Sequence, residues 1–154
     1  MSPAIWLGRI TALSLLLIAS GCSTNVSRFQ MPGADLADVK RVYLRPLIEE
    51  RQASEIQSLV ESHLTQRGYE IARDPATAES APGTYAFDMT TDWYWDVTWY
   101  LLELRVAIYD PRDDTLVAQA QSMQTSLSRR STEVIVERAM QSLFNDTQTL
   151  NGEE

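Results

Sequence analysis

Asp92 and Asp96 flank tryptophans within residues 85–110, which read YAFDMTTDWYWDVTWYLLELRVAIYD. Paired carboxylates hydrolyse glycosides when they stand ~5–9.5 Å apart. On a strand, positions four apart share a face at ~13 Å, too far unless a turn folds them together. These two therefore read as solvated, turn-stabilising aspartates. His63 is the single histidine and Cys22 the single cysteine. Those counts exclude an intrachain disulfide and metal clusters built from several Cys and His ligands. His63 falls on the apolar stripe of a helix and reads as a core-edge histidine with one hydrogen bond. Ser126, Ser128 and Ser131 are loop serines without a base. No G-x-G-x-x-G, Walker A, H-E-x-x-H or G-x-S-x-G pattern occurs. No catalytic residue, metal ligand or cofactor is assigned, and a non-enzyme is expected.

Cys22 has a different chemistry in view. Residues 1–21 carry one charge, Arg9, and residues 10–20 (ITALSLLLIAS) are apolar or small. That is the length of a signal-peptide core, shorter than the ~20 residues of a membrane-spanning helix. Ala19-Ser20-Gly21-Cys22 resembles the lipobox of bacterial lipoproteins, with Ala19 where leucine is usual. The resemblance implies diacylglycerol on the Cys22 sulfur, cleavage before it and acylation of the new amino terminus. Ser23, where an aspartate would signal inner-membrane retention, resembles lipoproteins sent to the outer membrane, facing the periplasm. Several acyl chains, at ~0.8 kcal/mol per buried CH₂, make release negligible.

The 154 residues suffice for this leader and one domain. The net charge of -8 opposes contact with nucleic acid phosphates, and none is expected as a partner. Residues 23–35 (STNVSRFQMPGAD) are polar, hold Pro32-Gly33 and show no sustained period, so 22–35 reads as the lipidated cysteine and a flexible tether. Such a tether spans ~20 Å on average and ~45 Å at most. The expected domain is 36–146, with a polar tail at 147–154.

Within that domain Val42 and Leu44 share a face of a first strand that Pro46 ends. Ser54 and Gln57 match a capping box, and Ile56, Leu59, Val60, His63 and Leu64 form one helical stripe. Gly68 suits a left-handed C-terminal cap. Residues 69–72 form a short strand, parallel to the first through a right-handed crossover. Residues 74–83 are a loop.

Phe87, Met89, Trp93 and Trp95 then alternate with Asp88, Thr90, Asp92 and Tyr94, as on a half-buried strand. Beyond Thr98 the phase is reversed, with Leu102, Leu104, Val106 and Ile108 apolar. A turn or bulge within Asp96-Val97-Thr98 is predicted, because a one-residue slip exchanges the faces of a strand. Asp96 is expected to bond backbone amides two residues on. A turn at 110–114 leads to a return strand over 115–125. Ser131 or Thr132 caps a last helix whose stripe is Ile135, Val136, Ala139, Met140, Leu143 and Phe144. The order β-α-β-β-β-β-α predicts an α+β two-layer sandwich: one mixed sheet of about 4–5 strands with two helices on one face.

The phase of Trp93 and Trp95 places them in the core. Tyr94 and Tyr100, on the other parity, with Asp96 beside them, form the rim expected to meet a partner. Trp95-Asp96, Tyr100-Leu101 and Leu104-Arg105, preceded by Thr90-Thr91, resemble a pattern of small proteobacterial lipoproteins of uncharacterised function. The helix followed by Gly68-Tyr69 is similar to the helix-Gly-Tyr unit of periplasmic domains like the N-terminal domain of TolB. Those resemblances imply a docking module for envelope proteins, with no catalytic residue carried over. The expected function is a membrane-anchored periplasmic lipoprotein that binds or assists an envelope protein. The alternative is a module whose Trp/Tyr cluster binds peptidoglycan or lipopolysaccharide.

Overall fold

The computed structural model describes residues 25–47, 51–76 and 81–145. The leader, Cys22 and the 147–154 tail lie outside the described residues. Six strands form one sheet: β1 (Asn25–Gln30), β2 (Arg41–Leu44), β3 (Glu70–Ala72), β4 (Thr84–Asp96), β5 (Thr98–Asp110) and β6 (Thr115–Met123). Helices α1 (Ala53–Gln66) and α2 (Thr132–Phe144) pack against each other on one face of it. The expected α+β sandwich is the observed class, with more strands than the 4–5 expected.

Strand order is β1-β6-β5-β4-β2-β3. β2 is parallel to both β3 and β4, and the remaining pairs are antiparallel. The added strand is β1. Its residues NVSRFQ fall in the segment read above as flexible tether, and that reading is corrected by their pairing with β6 from Asn25↔Met123 to Gln30↔Ala118. A mostly polar stretch can be an edge strand because only one of its ladders needs a partner.

The core lies between sheet and helices. Val42 and Leu44 of β2, Phe87 and Met89 of β4, Leu104, Val106 and Ile108 of β5, and Ala118 and Ala120 of β6 line the sheet side. Ile56, Val60 and Leu64 of α1, at four-residue spacing, are each fully buried against it, as are Ile135, Val136, Ala139, Met140 and Leu143 of α2. The start of α1 departs from expectation. No capping box forms; the N-cap is Gln52, in the left-handed region at φ 52, without a side-chain cap bond. The end follows expectation. Gly68 sits at φ 85, its N–H donates to the Thr65 carbonyl, and the Tyr69 N–H donates to Leu64, which is a Schellman closure. At α2 the Ser131 side chain makes no cap bond; it bonds Glu133 instead, holding that carboxyl below its ordinary range.

His63 lies half-buried where α1 faces Glu137 of α2, its ring Nδ1 3.4 Å from Arg67. Burial first, and the Arg67 charge second, lower its pKa below the ordinary 6.5, against an opposing pull from Glu137. The folded state thus favours neutral imidazole. Its contribution to stability is complete above pH ~6.5 and is lost as pH falls through the depressed folded value. Thermal melts of the protein and of His63→Gln should diverge below pH ~6, with the wild type losing more Tm on acidification.

Candidate functional site: the hairpin tip and the open sheet face

β4 and β5 run past every neighbour. β2 pairs with β4 only as far as Leu44↔Phe87, and β6 pairs with β5 only as far as Met123↔Glu103. From Trp93 to Leu101 the two strands pair only with each other, as Trp93↔Leu101, Tyr94↔Tyr100, Trp95↔Trp99 and Asp96↔Thr98. The hairpin thus projects from one end of the sheet, with Val97 at its apex.

The register explains the phase reversal seen in the sequence. Through the turn, the same parity is kept: Trp93 and Trp95 face the same side as Leu101 and Trp99. The register shifts between Asp92 and Trp93, where Asp92 faces Glu103 but Trp93 faces Leu101. Leu102 is the extra residue, so a β-bulge there, and not the turn at 96–98, moves the apolar set to Leu104, Val106 and Ile108. The turn itself lies where it was expected.

The bulge and the projection decide the fate of the aromatics. Trp93 packs against the core and is partly buried, its indole N–H without a described hydrogen-bond partner. Trp95, expected in the core, is 56% exposed, and Trp99 is 47% exposed. Both lie beyond the reach of the helix layer. Their rings stand 5.5 Å apart, tilted by 52°, and the Arg51 guanidinium lies 4.3 Å over Trp99. On the opposite face Tyr94 and Tyr100 meet edge-on at 5.8 Å. Tyr94 is 52% exposed, as expected. Tyr100 is not: it is only 8% exposed, with the Arg129 guanidinium 4.8 Å over its ring. The expected rim of Tyr94, Asp96 and Tyr100 is thus a contiguous group in which Tyr100 supports and Tyr94 presents.

Asp96 makes no recorded turn bond. It pairs with Arg129 at 2.6 Å, tying the β6–α2 loop to the hairpin. Exposed pairs of this kind contribute ~0–1 kcal/mol, so the bond positions the loop more than it stabilises the fold. The firmer tie is Gln124, a side chain the sequence did not single out. It is buried, its Nε2 donates to the Leu101 carbonyl at 2.6 Å, and its Oε1 accepts from the Arg130 N–H at 2.6 Å.

Val97 was also missed. It stands at φ 64 and is 81% exposed. A β-branched residue in the left-handed region is strained, and a hairpin apex ordinarily takes Gly or Asn there. That mismatch was readable as an apolar residue between Asp96 and Thr98. Val97→Gly should stabilise the fold by about 0.5–1 kcal/mol, read as a higher urea midpoint at unchanged slope.

Away from Tyr100, where Arg129 of the β6–α2 loop lies, the face of the sheet opposite the helices is covered by no described helix. Three rows cross four strands on it: Asp88–Ala107–Gln119–Phe29, Thr90–Arg105–Gln121–Ser27 and Asp92–Glu103–Met123–Asn25. Two of its arginines are paired locally. Arg45 bonds Asp114 at 2.5 Å and lies 5.2 Å over Tyr109, and Arg105 bonds Glu103 at 2.8 Å. Elsewhere, a cavity of about 210 Å³ lies between α1 and the β2–β3 edge, beside Tyr43, Glu61 and Arg73. It includes none of Tyr94, Asp96 and Tyr100. Among the described residues no three His, Cys, Asp or Glu are grouped to hold a metal, and no helix is long and apolar enough to cross a membrane.

No protein-family model matches the sequence, and no curated protein matches it. Solved structures do. A PelC variant dodecamer from Paraburkholderia phytofirmans has a TM-score of 0.57 at 16% identity, covering 82% of this chain and 99% of that one. A second PelC dodecamer from the same organism has a TM-score of 0.55 at 15% identity, covering 79% and 96%. At such identity the match shows a shared fold.

Proposed function

We propose that the protein is a lipid-anchored periplasmic lipoprotein of the outer membrane that serves as a non-enzymatic binding or accessory module for another envelope protein. The observation that carries this reading is the open sheet face. Rows of Gln, Thr and charged residues lead to the exposed Tyr94, and partner surfaces favour such a rigid aromatic ring beside polar groups. The same fold occurs in PelC as a dodecamer, so its surfaces are compatible with extensive protein contacts. The anchor rests on the leader and the Ala19-Ser20-Gly21-Cys22 run.

Photo-crosslinkers at Gln121 and Tyr94, in living cells, test the reading. Adducts with an envelope protein at both positions, and none from Gln66 near the end of α1, are expected. A clean monomer at both positions would count against it. Cys22→Ala tests the anchor: the protein should become soluble or remain a precursor. A cleaved Cys22→Ala form that still fractionates with the outer membrane would refute lipid anchoring.

A further inference from the structure

We propose that the tip of the β4–β5 hairpin is a membrane-insertion element, and that Trp95, Val97 and Trp99 enter the interfacial layer of the bilayer that holds the amino terminus. The proposal rests on the lipoprotein reading of Cys22 and adds a second, non-covalent contact to it.

Topology is the first support. Asn25, where the described chain begins, faces Met123 of β6, which faces Glu103 of β5, which faces Asp92 of β4. The chain therefore enters the fold at the end of the sheet from which the hairpin projects. Two residues, Ser23 and Thr24, separate Cys22 from Asn25, so the three chain steps reach at most ~10 Å. From the Asp92 row to Val97 the hairpin advances five residues, or ~16 Å. With Cys22 held at the bilayer surface and the strands set along the bilayer normal, the apex reaches ~6 Å or more beyond it, comparable with the ~5–10 Å depth of interfacial segments.

Side-chain chemistry is the second support. Tyr94, Trp95, Val97 and Trp99 hold large exposed apolar surface beyond the last strand pairing of β2 and β6, with Arg51 over one face of Trp99 and Arg129 bonded to Asp96 behind them. Trp and Tyr favour the membrane–water interface, where the ring is buried and the polar tip stays wet. Leu127, almost fully exposed, lies on the loop that Arg129 ties to Asp96. The strained backbone at Val97 keeps an apolar side chain at the apex where glycine would fit better. The chain is acidic overall, so the rings and not net charge make this contact, and raising salt should not release the tip.

The test uses the processed protein carrying Val97→Cys, reconstituted into vesicles of phosphatidylethanolamine and phosphatidylglycerol. An environment-sensitive fluorophore on the new thiol reports the tip, and the mass of the amino-terminal peptide reports acylation of Cys22. Gln121→Cys, on the open face, is the control. The expected result is an acylated Cys22, a blue-shifted signal at position 97 that nitroxide-bearing lipids quench, and a water-like, unquenched signal at 121. A water-like signal at 97 with Cys22 acylated would overturn tip insertion and leave the anchor standing. A blue shift that lipid-borne nitroxides do not quench would also overturn it, placing the tip inside a protein partner. An unacylated Cys22 would overturn the anchor and this proposal together.

Discussion

Phe87→Ala should cost about 3–5 kcal/mol, a large share of the ~5–15 kcal/mol that holds a domain of this size together. Phe87 is fully buried near the middle of the sheet, with Leu44 of β2 on one side and Ile108 of β5 on the other. Both helices press on this sheet face. Truncation therefore removes a large transfer contribution and opens a cavity that neighbours on two strands cannot collapse to fill. Urea titration followed by circular dichroism should show the midpoint falling at unchanged slope. A loss below ~1 kcal/mol would show that Phe87 is not at the packed centre.

Gln124→Leu should cost about 2–4 kcal/mol although it adds apolar volume to a buried position. The native amide satisfies the Leu101 carbonyl and the Arg130 N–H, and its Nε2 also makes a longer, 3.4 Å bond to the Arg130 carbonyl. Leucine would leave both unpaired, each at ~1–3 kcal/mol. The damage should be local in its second consequence. The β6–α2 loop loses its firm tie to the hairpin, leaving the exposed Arg129–Asp96 pair. Hydrogen exchange should then quicken at Leu101 and over residues 125–130, while β2 and α1 keep their protection. Gln124→Glu separates the two bonds, since its carboxylate keeps the acceptor for Arg130 and loses the donor to Leu101. It should fall between the wild type and the leucine variant at neutral pH.

What the sequence carried and what it hid follow from one distinction. Most features with a local cause were legible, the Ser54–Gln57 capping box being the exception. The stripe of α1 and the left-handed Gly68 depend on neighbours three to five positions away, and both appear as predicted. The α+β class follows from those periods. Features set by relative length were not legible. Trp95 is in phase with the buried Phe87 and Met89, yet it is exposed because β4 outruns the helices that cover those residues. Nothing in alternation records how far a strand extends beyond its layer. The bulge at Leu102 was hidden for a related reason. An apolar residue there fits the phase on either side, so the reversal was attributed to the turn. β1 is a strand because β6 offers it an open ladder, a long-range cause with little trace in NVSRFQ. Tyr94 was placed correctly by parity. Tyr100 has the same parity but is buried, because Arg129, distant in sequence, folds onto its ring.

The position of β1 also bears on the order in which the molecule assembles. Among the described residues β1 is the first strand made, and β6, its only partner in the sheet, is the last. Contacts between such distant segments are slow to form, because the intervening loop must close before they are rewarded. β2, α1 and β3, in contrast, lie close in sequence and can pair early, and β4 with β5 is a simple hairpin. The amino-terminal segment is therefore the last to be fastened. Until β6 is in place, the stretch nearest Cys22 remains an unpaired chain. The edge of β6 is itself protected only when that stretch returns to cover it.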